Sequence, residues 1–211
     1  MIALAKTIET LLENKKYSSL RDVLSSMNEA DIAAMFSEVS SDSLPLLFRL
    51  LPKDLAADTF ALMDTDEQEL LIRGFSDNEI KEVFDELYVD DAADIVEEMP
   101  ANVVKRILKN TEPDMRQMIN EILKYPEDSA GSLMTTDYIS LRPKMTISDE
   151  IKRIRRTINE AETIYTSYVT DDNSKLLGYL SVKNLLLAEP NAKVCDIMDK
   201  PIICVHTLSA K

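Results

Sequence analysis

The 211-residue sequence has no tryptophan, one histidine, two cysteines and three glycines. Two cysteines cannot build a disulfide scaffold. Cys195 and Cys204 also lack the C-x-x-C spacing of a zinc or redox motif, so both read as reduced and buried, which predicts a cytosolic setting. The lone His206 lies in a strand-like run near the C-terminus and reads as structural. With no nucleophile and base pair among its motifs and no Walker A loop, the chain is not expected to be an enzyme. Long apolar runs are missing as well. LPLLFRLL, at 44–51, is short and broken by Arg49, far from the eighteen or so residues of a membrane span. MIALAKTIETLLENKK places Lys6 and Glu9 where a secretory signal keeps its apolar core, so it reads as a first helix. No part of this chain is expected to insert into a membrane by itself.

Basic residues are scarce where acids are dense. Residues 1–128 hold 28 Asp and Glu against 13 Lys and Arg, a net of −15, whereas residues 129–211 hold 10 against 11, a net of +1. Between Asp54 and Glu98 there are 16 acids and two bases, Arg73 and Lys81. Such a surface repels polyanions, which argues against nucleic acid and anionic lipid as partners. At 87–100, LYVDDAADIVEEMP packs five carboxylates into fourteen residues without one Lys or Arg. The remaining composition, 45% hydrophobic and 29% charged, is that of a globular chain with one large domain or two small ones.

Up to about Lys124 apolar residues recur at three and four, and breaks fall at polar joints such as SSDS and LPKD. Ser76 followed by Glu79 forms a capping box, and Asp90 or Asp91 puts negative charge at a helix start. A weak repeat is visible. Asp54-x-Ala56-Ala57-Asp58 in PKDLAADTF matches Asp90-x-Ala92-Ala93-Asp94 in YVDDAADIV at an offset of 36, and ADIAAMF near Asp31 echoes both. Small alanines beside acids at helix starts predict helical hairpins stacked into a solenoid-like superhelix.

At YPEDSAGSLM the character changes. A strand in YISLRP, a helix opening at Thr146 to Glu150, a β-branched run TIYTSYVTDD, a turn DDNSK, a strand LLGYLSV and a helix KNLLLAEP give the order β-α-β-β-α. VCDIMDKPIICVHTLSA then resembles the entry GSLMTTDYISLRPKMT, with Met198 lying 64 residues after Met134. The fold class expected is α followed by α/β: an acidic all-α superhelical domain over 1–128, then a small α/β domain over 129–211 that includes the start of a second copy. A strand at PIICV needs partner elements to cover it, so the chain is expected to continue beyond Lys211.

The module bounded by LMTTDYISL and LLGYLSVKNLL resembles a CBS domain, a fold that works in tandem pairs. Together with the acidic helical domain and the joint YPEDSAGSLMT, it resembles the cytosolic region of MgtE-type magnesium transporters. That resemblance implies a sensor on the cytoplasmic face of the membrane, in front of a dimeric channel, where Mg²⁺ bound between the helical and CBS domains favours closure. It also implies, as partners, a membrane channel domain, a second CBS copy and a second subunit. Scarce magnesium would leave interfacial carboxylates repelling one another.

On that resemblance the candidate metal ligands are Asp58, Asp90 and Asp94. Asp90 and Asp94 are four apart on one helix face, and Asp58 is the repeat equivalent of Asp94. The plainer reading of Asp90 and Asp91 is a cap and first-turn acid, worth about 1 kcal/mol. GYLSVKN resembles the CBS nucleotide motif through Gly178, Ser181 and Asn184, with Asn184 where an acid is usual; the ligand implied is ATP or AMP, and the plainer reading of Gly178 is a strand residue. The basic run Lys152, Arg153, Arg155 and Arg156 reads as a solvated helix face, or as a surface docking against acidic groups. A structural scaffold whose acids serve solubility stands as a further alternative.

Overall fold

The computed structural model describes residues 2–157, 161–200 and 203–210. The chain divides into two compact units, Met1–Lys124 and Tyr125–Lys211.

In the first unit the described residues form ten helices: α1 (Ile2–Glu13), α2 (Tyr17–Leu24), α3 (Glu29–Phe36), α4 (Leu44–Phe48), α5 (Lys53–Ala61), α6 (Thr65–Gly74), α7 (Asp77–Phe84), α8 (Val89–Glu98), α9 (Ala101–Asn110) and α10 (Pro113–Ile122). Their starts are local chemistry. Ser76 Oγ accepts the Glu79 N–H while Glu79 Oε2 accepts the Ser76 N–H, the reciprocal box read from sequence. Asn28 Oδ1 caps α3 through the Asp31 N–H at 2.8 Å. Pro45 and Pro113 stand in first turns, where a missing N–H costs nothing. The cap of α8 is Tyr88, so Asp90 and Asp91 are first-turn acids that complement the helix dipole.

Packing follows the repeat. α3, α5, α7 and α9 lie each against the next, as do α4, α6, α8 and α10, so each helix buries the face left open by the helix two before it. Ala56 and Ala57 on α5 and Ala92 and Ala93 on α8 are buried, the small residues allowing close helix approach. At the centre stand Phe48, Phe60, Phe75 and Phe84, with ring centroids 5.4 to 6.3 Å apart.

The second unit follows the β-α-β-β-α order: β1 (Tyr138–Leu141), α11 (Ile147–Thr157), β2 (Thr163–Thr170), β3 (Leu176–Ser181) and α12 (Val182–Leu187), then a short α13 (Val194–Ile197). β1 pairs parallel to β2 and β2 antiparallel to β3. Ile139, Leu141, Val169 and Leu180 pack against Ile147, Leu185 and Val194. On the other face Tyr138 and Tyr168 stand exposed, with rings edge to face at 5.5 Å.

After α13 the chain returns to β3. Tyr179 and Asp199 exchange backbone hydrogen bonds of 3.0 and 2.9 Å, and the 207–210 segment pairs with 129–131 through Ala130 N–H to Ser209 O and Gly131 N–H to Thr207 O. Two expectations require correction. Of the strand expected at PIICV, Pro201 and Ile202 lie outside the described residues, and 203–205 form no strand. Cysteines 195 and 204 are both free, as read, but Cys195, in α13, is half-buried and Cys204 is exposed, the latter in a 203–206 segment without regular structure where Ile203 is 99% exposed. Among the described residues no helix is long and apolar enough to cross a membrane.

Candidate functional site

The acidic candidates sit on two helices built alike. Asp58 stands near the middle of α5 and Asp94 near the middle of α8, each exposed and each following a buried Ala-Ala pair. Neither has an ion-pair partner among the described residues. Partial burial pushes the Asp58 carboxyl above the usual carboxylate range, and the like charges of Glu29 on α3 and Asp54 on α5 push the same way. Partial burial and Glu98 do the same to Asp94. Asp90 is half-buried in the first turn of α8, one helical turn before Asp94.

The three predicted residues therefore do not converge on one centre. Asp90 and Asp94 share α8, while the charges acting on Asp58 come from Glu29 and Asp54. Among the described residues no group of three or more His, Cys, Asp or Glu side chains is arranged to hold a metal ion. Glu29, Asp54 and Glu98 are additions that the structure makes. The i,i+4 spacings of Asp54–Asp58 and Asp94–Glu98 were visible in sequence, whereas Glu29 reaches Asp58 only through packing.

The nucleotide candidates do come together. Ser181 Oγ caps α12 by accepting the Asn184 N–H at 3.2 Å, and Asn184 Nδ2 donates to Asp199 Oδ2 at 3.4 Å. Gly178 is buried against the same returning segment. A Cβ there would lie 2.7 Å from Asp199 O and 2.9 Å from Met198 Sδ. Asp199 thus supplies a carboxylate beside the asparagine that stands where the motif usually has an acid. On the exposed sheet face a 410 Å³ cavity is lined by residues that include Tyr138, Tyr168, Thr170 and Ser174.

Comparison with known proteins decides the family. Residues 27–128 match the MgtE intracellular N domain and residues 130–191 the CBS domain. A magnesium transporter MgtE of Thermus thermophilus is 31% identical over 208 residues, 97% of this chain and 46% of its own length. A solved cytosolic domain of the Mg²⁺ channel MgtE in complex with ATP superposes with a TM-score of 0.89 at 30% identity, over 98% of this chain and 84% of that one. The chain belongs to the MgtE family. A Bacillus subtilis MgtE is 26% identical over 94% of the chain and 44% of its own length, so the chain spans about half the length of these curated relatives. The soluble part of a magnesium transporter shares the fold at a TM-score of 0.90 with 20% identity.

For an MgtE-family chain the question is whether these carboxylates suit magnesium. Mg²⁺ takes six oxygens in near-octahedral geometry and keeps several waters, so one or two carboxylates on one side of a hydrated ion suffice. On α8 Asp94 has Asp90 and Glu98 one helical turn to either side, and on α5 Asp58 has Asp54 one turn before it and feels the charge of Glu29 on α3.

Proposed function

We propose that this chain is the magnesium-sensing cytosolic region of a magnesium transporter or channel, on the cytoplasmic face of the membrane. Mg²⁺ held by acids of the helical unit, at an interface with the CBS part, favours the closed state. The membrane channel domain, a second CBS copy and a second subunit complete the assembly.

The observation that carries this reading is the matched pair Asp58 and Asp94, at equivalent places in two repeat helices, each partly desolvated and each near like charge, with no ion-pair partner among the described residues. Two unit charges about 4 Å apart interact by roughly 4 kcal/mol at an effective dielectric near 20. A divalent cation converts that repulsion into attraction, and its departure restores it. Removing the ion therefore supplies a force able to separate the surfaces it joined.

Thermal unfolding against MgCl₂ at high constant ionic strength tests this, beside an Asp90→Ala/Asp94→Ala variant. A saturable rise in melting temperature that the variant loses supports the reading through mass action. A response identical in both, or absent from both, overturns the assignment of these carboxylates.

A second reading, adenine-nucleotide binding, is favoured by Asp199. It places an acid beside Asn184, next to the hydroxyl of Ser181 and the close-packed Gly178. ATP or AMP added without magnesium would then stabilise the chain, and Asp199→Ala would abolish the effect.

A further inference from the structure

The helical unit carries an open cavity of 170 Å³ among α4, α5 and α7 that the magnesium reading leaves unused. Its floor is apolar. Phe48, Ala56, Phe75 and Val83 line it, each less than a tenth exposed, and the Phe48 and Phe75 rings stand 5.4 Å apart with planes at 41°. Cavities near this size accept a benzene-sized ring.

The rim carries two ion pairs of unequal strength. Arg49 Nε donates to Glu79 Oε1 at 2.6 Å, Arg49 also holds Gly74 O, and Glu79 is locked into the Ser76 cap. Across the opening Lys53 Nζ lies 3.3 Å from Glu82 Oε1, with the two side chains 66% and 44% exposed. Among the described residues Glu82 further accepts only the Asn78 amide, at 3.1 Å. The first pair is fixed; the second exchanges partners at little cost.

We propose that this cavity binds a small aromatic molecule bearing both an ammonium and a carboxylate, the class of a free aromatic amino acid. The ring packs edge-on or offset against the Phe48 and Phe75 floor. The carboxylate takes Lys53 and the ammonium takes Glu82, replacing one loose surface pair with two contacts. Because the rim is neutral as a whole, a ligand with a single charge leaves one rim group unmatched. A chain terminus carries only one of the two charges next to its ring, so the free amino acid fits better than a peptide end.

The test is amide NMR titration of the whole chain with phenylalanine, glycine, N-acetylphenylalanine and phenylalaninamide at constant ionic strength. Phenylalanine should shift the Phe48, Lys53, Phe75 and Val83 amides saturably, with a dissociation constant on the order of 1 mM for a ligand this small. Either blocked form should bind about fivefold more weakly, as should phenylalanine to Lys53→Glu, and glycine should leave these amides unmoved. Ala56→Leu, which fills the floor, should abolish binding. Lys53→Glu is a surface change and remains informative if Ala56→Leu does not fold. Linear, non-saturating shifts, equal shifts with glycine, or wild-type affinity in Lys53→Glu or for both blocked forms would overturn the assignment.

Discussion

Arg49 Nε lies 2.6 Å from Glu79 Oε1, joining the end of α4 to the capping box that starts α7. The guanidinium, together with the Ser76 N–H and hydroxyl, holds the Glu79 carboxyl well below its ordinary value, at about 2. Since the folded value is depressed, the stabilisation is fully present above the ordinary carboxylate range and is lost as pH falls towards 2. Both side chains are partly exposed, 43% and 31%, so solvent screening reduces the contribution to about 1 kcal/mol. Glu79→Gln keeps a capping side chain but loses the charge. It should lower stability by that amount at neutral pH and flatten the acid limb of a stability–pH profile measured by urea unfolding.

Two glycines should respond to alanine with opposite signs. At Gly178 a Cβ meets backbone, Asp199 O at 2.7 Å, so the returning segment must move; Gly178→Ala should cost about 1–3 kcal/mol. At Gly74, the last residue of α6, nothing lies within 4 Å of the added carbon and φ is not positive. Gly74→Ala should therefore stabilise by about 0.5–1 kcal/mol, through reduced freedom of the unfolded chain. Chemical denaturation of each variant reads both signs, and equal effects would show that local space does not decide them.

Arg106 on α9 closes the end of α6 from outside. Its Nη1 donates to Ile72 O at 2.6 Å, Nη2 donates to Phe75 O, and Asp77 Oδ1 lies 3.3 Å from Nη2. Carbonyls at a helix end have no intrahelical donors, so this side chain satisfies what α6 cannot. Arg106→Met keeps the aliphatic stem and removes the donors. A loss of about 2 kcal/mol is expected, with hydrogen exchange rising first in the last turn of α6; a uniform change across the unit would contradict this local role.

What was legible in the sequence was local. The Ser76–Glu79 box, the alternation of helix and strand, and the Ala-Ala-Asp repeat are all encoded within a few residues, and α5, α7, α8 and the β-α-β-β-α order follow from them. What was not legible depends on contacts between distant segments. Asp199 reaches Asn184 only because 198–199 returns to β3, and that return also explains why position 178 is glycine. Glu29 acts on Asp58 because α3 packs on α5. Cys204 reads as buried only because it lacks a disulfide, zinc or redox motif, and lack of a motif buries nothing; in the 203–206 segment, which forms no strand, it is exposed. Likewise the cap of α8 is Tyr88, two residues before Asp90, so Asp90 and Asp91 serve the dipole from inside the first turn.

Asp58 and Asp94 give the sharpest test of whether the acidic helices are strained without a cation. Both carboxyls are raised in the folded chain, first by burial and then by like charges. A raised carboxyl penalises the fold at neutral pH. The penalty is absent below the ordinary carboxylate range, where both states are protonated, and complete above the folded value. Asp58→Asn and Asp94→Asn should therefore match the wild type in acid and each exceed it by about 0.5 kcal/mol at pH 7 without magnesium, the scale of one exposed like-charge contact. Saturating Mg²⁺ should raise the wild type towards the variants and leave the double variant unmoved. Destabilisation at neutral pH would instead assign these carboxylates a structural partner, and an equal magnesium response in all forms would place the cation elsewhere.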